Sequence, residues 1–131
     1  MSIARNLSIL GSIPQNTQSG NYQIQSSDAG GHIFHPSSDN VTARIWTIPD
    51  NTLGTNPIAF ALGTTLTFIN DSGASNITIQ MNTADDILML GGSGTTGART
   101  LNPGGMATAV KITPTKWIIN GAGLSLSLIH I

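Results

Sequence analysis

Thr64-Thr65-Leu66-Thr67-Phe68-Ile69, then Asn70-Asp71-Ser72-Gly73, and after three residues Ile77-Thr78-Ile79-Gln80-Met81 form the stretch that decides the fold class. Successive side chains of a strand point to opposite faces, so Leu66 and Phe68 share one side of an extended run. Asn, Asp, Ser and Gly in succession are turn chemistry: the first three bond their own backbone and glycine accepts positive φ. Beyond the turn, Ile77, Ile79 and Met81 alternate with Thr78 and Gln80, again with a period of two. The stretch reads as two strands joined as a hairpin.

Working outward, the same grammar repeats. Short β-prone runs occupy 22–25, 32–35, 41–48, 87–90, 106–113, 117–119 and 124–131, separated by Gly, Pro, Asn and Asp. In 106–113, Thr108, Val110 and Ile112 take one face and Ala107, Ala109 and Lys111 the other. Nowhere does an apolar period of 3.6 persist over three turns, so almost no helix is expected. Eight or so short strands at close spacing predict an all-β sandwich, jelly roll or partly open barrel. Residues 1–20 differ: 11–20 are small, polar and without period, which predicts an extended N-terminal arm ahead of a β domain over 21–131.

The composition narrows the function classes. A chain of 131 residues fits one domain, and its charged residues make up 8% of the total against about 25% in ordinary soluble domains. Five cations (Arg5, Arg44, Arg99, Lys111 and Lys116) are scattered, the six acids are all aspartate, and the net charge is −1. Nucleic-acid binding, which needs clustered Lys and Arg against phosphate, is not expected. No run approaches the roughly 20 apolar residues of a membrane helix, so no membrane partner is expected. The chain has no cysteine, so neither disulfides nor thiolate metal sites contribute.

Gly92 and Gly97 have P-loop spacing, but Ala98 and Arg99 stand where Lys and Ser or Thr are required, and no helix follows. His32 and His35 lie three apart in a strand and face opposite ways, so they cannot chelate one ion together. Asp85 and Asp86 read as an acidic turn, and no nucleophile elbow is present. No catalytic residue, metal, cofactor or small-molecule substrate is expected; the chain reads as a non-enzyme. Trp117 reads as core. Trp46, with Ser93, Thr95 and Thr96 of the glycine loop, is a candidate ligand surface. The terminal run places Leu124, Leu126 and Leu128 on one face, with Ile129 and Ile131 closing the chain. Such an edge is an aggregation hazard unless it is interior or paired with another subunit.

Ser27-Asp28-Ala29-Gly30 with Ile33, His35-Pro36-Ser37, Trp46-Thr47-Ile48-Pro49, Leu62-Gly63-Thr64, Phe68-Ile69-Asn70-Asp71, Gly94-Thr95-Thr96-Gly97, Ala107-Thr108-Ala109 with Lys111, and Trp117 with Ile119 and Gly121 form a further pattern. Together these segments, over 22–124, resemble a β module that recurs among tailed-bacteriophage virion proteins, on capsid surfaces and in tail fibres. The resemblance implies a jelly-roll-like β-sandwich of about eight short antiparallel strands, acting as a dimer or trimer. With no shaft or repeat array in the sequence, it favours a capsid decoration (cement) protein that binds the major capsid protein and copies of itself. Its expected place is the outer surface of the phage head, after assembly in the bacterial cytoplasm. A tail-fibre or tail-tip module binding a receptor or glycan is the alternative. The expected assembly contacts are Ile3, Leu7, Ile9 and Leu10 of the arm and Leu124, Leu126, Leu128, Ile129 and Ile131 of the last strand.

Overall fold

The computed structural model describes residues 12–49, 60–83 and 85–126. These form an all-β unit of nine strands in one mixed sheet that curls into a half-barrel. In chain order the strands are β1 (Gln15–Thr17), β2 (Tyr22–Gln23), β3 (His32–His35), β4 (Arg44–Ile48), β5 (Thr65–Asn70), β6 (Ile77–Met81), β7 (Ile87–Leu90), β8 (Arg99–Thr113) and β9 (Lys116–Leu126). The helical element is one turn of 3-10 helix, Ser26–Asp28.

The expected hairpin over 64–81 does not form. β5 and β6 each pair with β8, which lies between them in the order β1-β3-β5-β8-β6-β4-β2. The turn itself is present: Ala74 N–H donates to Asp71 O, and Gly73 has φ +86°. It turns a corner instead of reversing the chain. β1, β3 and β5 stack in parallel as one column, and β2, β4 and β6 stack in parallel as a second. Each parallel step needs a crossover, and the strand of the other column supplies it. The chain therefore winds, in the manner of a short solenoid. This corrects the jelly-roll expectation: nine strands in mixed orientation replace eight antiparallel ones. The partly open barrel is nearest to what is observed.

The long hairpin β8–β9 closes the winding. The first residues of β8 pair with β6, Ile77 opposite Leu101, and its later ones with β5, Phe68 opposite Ala107. Between them, at Asn102-Pro103-Gly104-Gly105, the register against β9 shifts, so that β8 crosses from one column to the other. β9 follows β8 antiparallel and carries β7 in parallel on its other edge, from Lys116 to Ile119. Residues 15–17, expected in the arm, are a strand of the sheet, paired with β3. Asn16 ties them down, its amide donating to Asp28 Oδ1 at 2.9 Å and to the Tyr22 hydroxyl at 2.8 Å.

Parity decides which face is core. Ile33, Trp46, Ile48, Leu66, Phe68, Ile77, Ile79, Leu101, Trp117 and Ile119 point inward and are buried. Past the register shift the inward side of β8 carries alanine where large neighbours stand across the strand, Phe68 opposite Ala107 and Leu66 opposite Ala109, and then Lys111 beside Trp117. The Lys111 ammonium is carried through this layer and donates to Phe60 O at 2.9 Å. The β-branched face of β8 is left pointing outward.

Candidate functional site

The outward face of the β3–β5–β8–β9 sheet is built from cross-strand rows set by register. In the first row Phe34 stands beside Ile69, Ile69 beside Met106 and Met106 beside Ala122. In the next, His32, Thr67, Thr108 and Asn120 align, with a 3.1 Å hydrogen bond between the two threonine hydroxyls. In the third, Thr65, Val110, Ile118 and Met89 align. Met106 is 54% exposed and Ile112 42%, while Phe34, Ile69, Val110, Ile118 and Met89 are half-buried. No Asp, Arg or Lys enters these rows; the nearest charge along β9 is Lys116, on the same face as Ile118. Two largely apolar rows thus flank a polar one, and none of the three carries a carboxylate, a guanidinium or an ammonium.

The titratable clusters hold corners. His35 is fully buried, its Nδ1 2.7 Å from Asn70 Oδ1 and its Nε2 2.6 Å from Asp39 Oδ2. The Asn70 amide nitrogen donates to Ser75 O and Leu101 O, so its oxygen is the acceptor towards His35. Both ring nitrogens thus face acceptor oxygens. Arg44 adds a two-pronged contact to Asp39, Nε to Oδ2 at 2.8 Å and Nη2 to Oδ1 at 2.9 Å. These bonds from Arg44, and then from His35, hold the Asp39 carboxyl well below the usual carboxylate range. With the folded value depressed, the stabilisation is complete above the unfolded value, near 4, and is lost as pH falls below it. Thermal stability is therefore expected to fall more steeply between pH 5 and pH 2, on the order of those limits, for the wild type than for Asp39→Asn. Melting temperatures across that range check this; parallel curves would remove Asp39 as a cause.

A second cluster fastens the first turn of the winding. Asp28 accepts from the Tyr22 hydroxyl at 2.5 Å and from Gln25 N at 2.8 Å. Burial, reinforced by Asp28, pushes the Tyr22 phenol above its ordinary value. In each cluster the polar atoms bond chiefly to one another. Among the described residues no three His, Asp, Glu or Cys side chains converge as a metal site.

The glycine loop is tightly turned, with positive φ at Gly92, Gly94 and Gly97. The fully buried Arg99 clamps it, donating to Thr95 O at 2.6 Å, Thr95 Oγ1 at 2.9 Å and Gly97 O at 2.8 Å. Burial away from any carboxylate pulls this guanidinium below its ordinary value. Ser93, Thr95 and Thr96 are exposed, and Thr96 borders an open cleft of about 450 Å³ with Gln80, Asn82 and Asp86. Trp46 does not belong to this surface. It is 0% exposed, and its indole N–H donates to Gly20 O at 3.1 Å, so it has no free ring face for a ligand.

Of the expected contacts, Leu124 packs partly against the core and Leu126 is 50% exposed. Ile3, Leu7, Ile9, Leu10, Leu128, Ile129 and Ile131 lie outside the described residues. The outward rows were not picked out from the sequence. Their signal was the Thr108-Val110-Ile112 parity, apolar on the side opposite two alanines. No family model matches this sequence, and no curated protein matches it as a relative.

Proposed function

We propose that this chain is a non-catalytic structural protein of a bacteriophage particle, one that decorates and stabilises the capsid by docking on its shell. The observation that carries the reading is the outward row Phe34–Ile69–Met106–Ala122, continuous over four strands and free of charge. A surface of this kind gains by leaving water, at roughly 25 cal/mol per Å² of apolar area, and makes no demand for an opposite charge on the shell. The resemblance of 22–124 to a virion β module supplies the setting: the outer surface of the head, with the major capsid protein and further copies of the chain as partners.

Met106→Lys tests it. The side chain is exposed, so the fold stays intact by circular dichroism, while a charge now sits at the centre of the face. Occupancy on purified particles is expected to fall about tenfold or more, since each such loss corresponds to about 1.4 kcal/mol. Unchanged occupancy overturns the docking face. Detection of the chain on tails, with none on heads, overturns the capsid reading.

The exposed loop 91–97 beside its cleft favours the second reading, a tail-fibre or tail-tip module for a receptor or glycan. Under that reading the purified protein binds host cells, and Thr96→Lys at the cleft margin lowers that binding while Met106→Lys does not.

A further inference from the structure

β9 outruns its partner on one side. β7 accompanies it only from Lys116 to Ile119, and the last backbone bond on that edge is Gly91 N–H to Ile119 O at 2.8 Å. From 121 to 126 this edge has no strand beside it among the described residues, while the opposite edge stays paired with β8 as far as Leu126 opposite Arg99. The open stretch reads Gly-Ala-Gly-Leu-Ser-Leu, with no lysine, proline or inward-pointing charge. Those are among the devices by which natural edge strands refuse a further partner; a bulge is another, and here the register shift lies at Gly123, ahead of Leu124. Its parity is also informative. Leu124 and Leu126 face inward with Leu101 and Arg99, yet Leu126 is 50% exposed, because no described residue beyond β9 covers that side. Arg99, directly opposite it, is 0% exposed.

We infer that the edge of β9 over 121–126 pairs with the same edge of a second copy, antiparallel about a two-fold axis. Isologous pairing sets each strand against its own sequence. A charge on this edge would meet a like charge across the axis, and the stretch carries none. Its Leu-Ser-Leu alternation meets Leu-Ser-Leu, placing apolar side chains together on the inward face and hydroxyls together on the outward one. A partner chosen by charge would find nothing here to select it. This deepens the assembly reading by naming the partner at Leu124 and Leu126, and its test is separate from that of the docking face.

The experiment is sedimentation of the purified full chain over a concentration series, with amide hydrogen exchange read at the same concentrations. The expected result is a monomer–dimer equilibrium, with amides of 121–126 gaining protection as the dimer forms. Ser125→Lys, at an exposed position, is expected to raise the dimer dissociation constant about tenfold or more, and Val41→Lys, at a 91% exposed position between β3 and β4, is expected to leave it unchanged. A monomer at every concentration overturns the pairing, as does protection of 121–126 in the dilute monomer, where the chain's own residues would be the occupant. A dimer that persists unchanged in Ser125→Lys and in Leu126→Lys places the contact elsewhere and also overturns it. Loss of particle occupancy in Met106→Lys with no self-association would leave the docking face standing and this pairing refuted.

Discussion

Gly121→Ala is expected to lower the unfolding free energy by about 3 kcal/mol, an effect out of proportion to one added methyl group. A β-carbon at this position would stand 2.2 Å from Met106 O, 2.5 Å from Ala107 Cα and 2.8 Å from Ala107 Cβ. Two of the three are backbone atoms of the adjoining strand, so no side-chain rotation relieves the contact and β9 has to move away from β8. That ladder is the longest among the described residues, from Thr113 opposite Lys116 to Arg99 opposite Leu126. Displacing it would uncover Trp117 and Ile119 on the inner side and split Met106 from Ala122 on the outer one. Gly20→Ala is the control, since a β-carbon there meets nothing within 4 Å, and its expected change is within about 0.5 kcal/mol. Urea unfolding of the three proteins decides the point. Equal midpoints for Gly121→Ala and Gly20→Ala would show that β8 and β9 approach less closely than described.

The all-β class was legible because alternation and turn chemistry are local. Leu66 and Phe68 declare one face of β5 whatever lies beside it, and Gly73 declares a turn whatever follows it. Pairing is not local. The same Asn70-Asp71-Ser72-Gly73 signal serves a hairpin or a corner, and the choice rests on side chains far away in sequence. Asn70 illustrates this, because its amide spans Ser75 O and Leu101 O while its oxygen meets His35. Those contacts hold the end of β5 against β3 and the start of β8, leaving β6 to continue into the other column. A four-residue turn signal could not announce a partner 31 positions away.

The outward face was half-legible for a related reason. Both parities of 106–113 are apolar, and period alone does not say which one the core takes. The answer comes from volume across the strands, where Phe68, Leu66 and Ile119 leave room only for alanine at positions 107 and 109 of β8. In the sequence, the run from 124 reads as a separate element. In the structure it continues the strand that begins at Lys116, because the positive φ of Gly123 (+83°) lets β9 stay beside β8 across the register shift. Its open edge is thus a consequence of β7 being short, which no property of 124–131 could have revealed.

Trp46→Ala is expected to cost about 3–5 kcal/mol of stability, the range for emptying a large aromatic site in a packed core. As a ligand platform, Trp46 would tolerate the same change with its melting point intact and only binding lost. The structure excludes that outcome on three counts. Trp46 is 0% exposed. Its ring lies edge-on to His35 at 6.0 Å and tilted against Phe68 at 6.1 Å, so its loss opens a cavity beside the buried imidazole that Asp39 and Asn70 hold. Its indole N–H donates to Gly20 O, tying the turn between β1 and β2 to β4, so truncation also removes the donor from that carbonyl. Trp46→Phe separates the two contributions. It keeps most of the ring volume and gives up the N–H, so its cost is expected to be intermediate, about 1–3 kcal/mol. Chemical denaturation of the two variants measures both quantities. A loss below about 1 kcal/mol for Trp46→Ala would mean that the indole is not the centre of this core, and would return it to the surface on which the ligand reading depends.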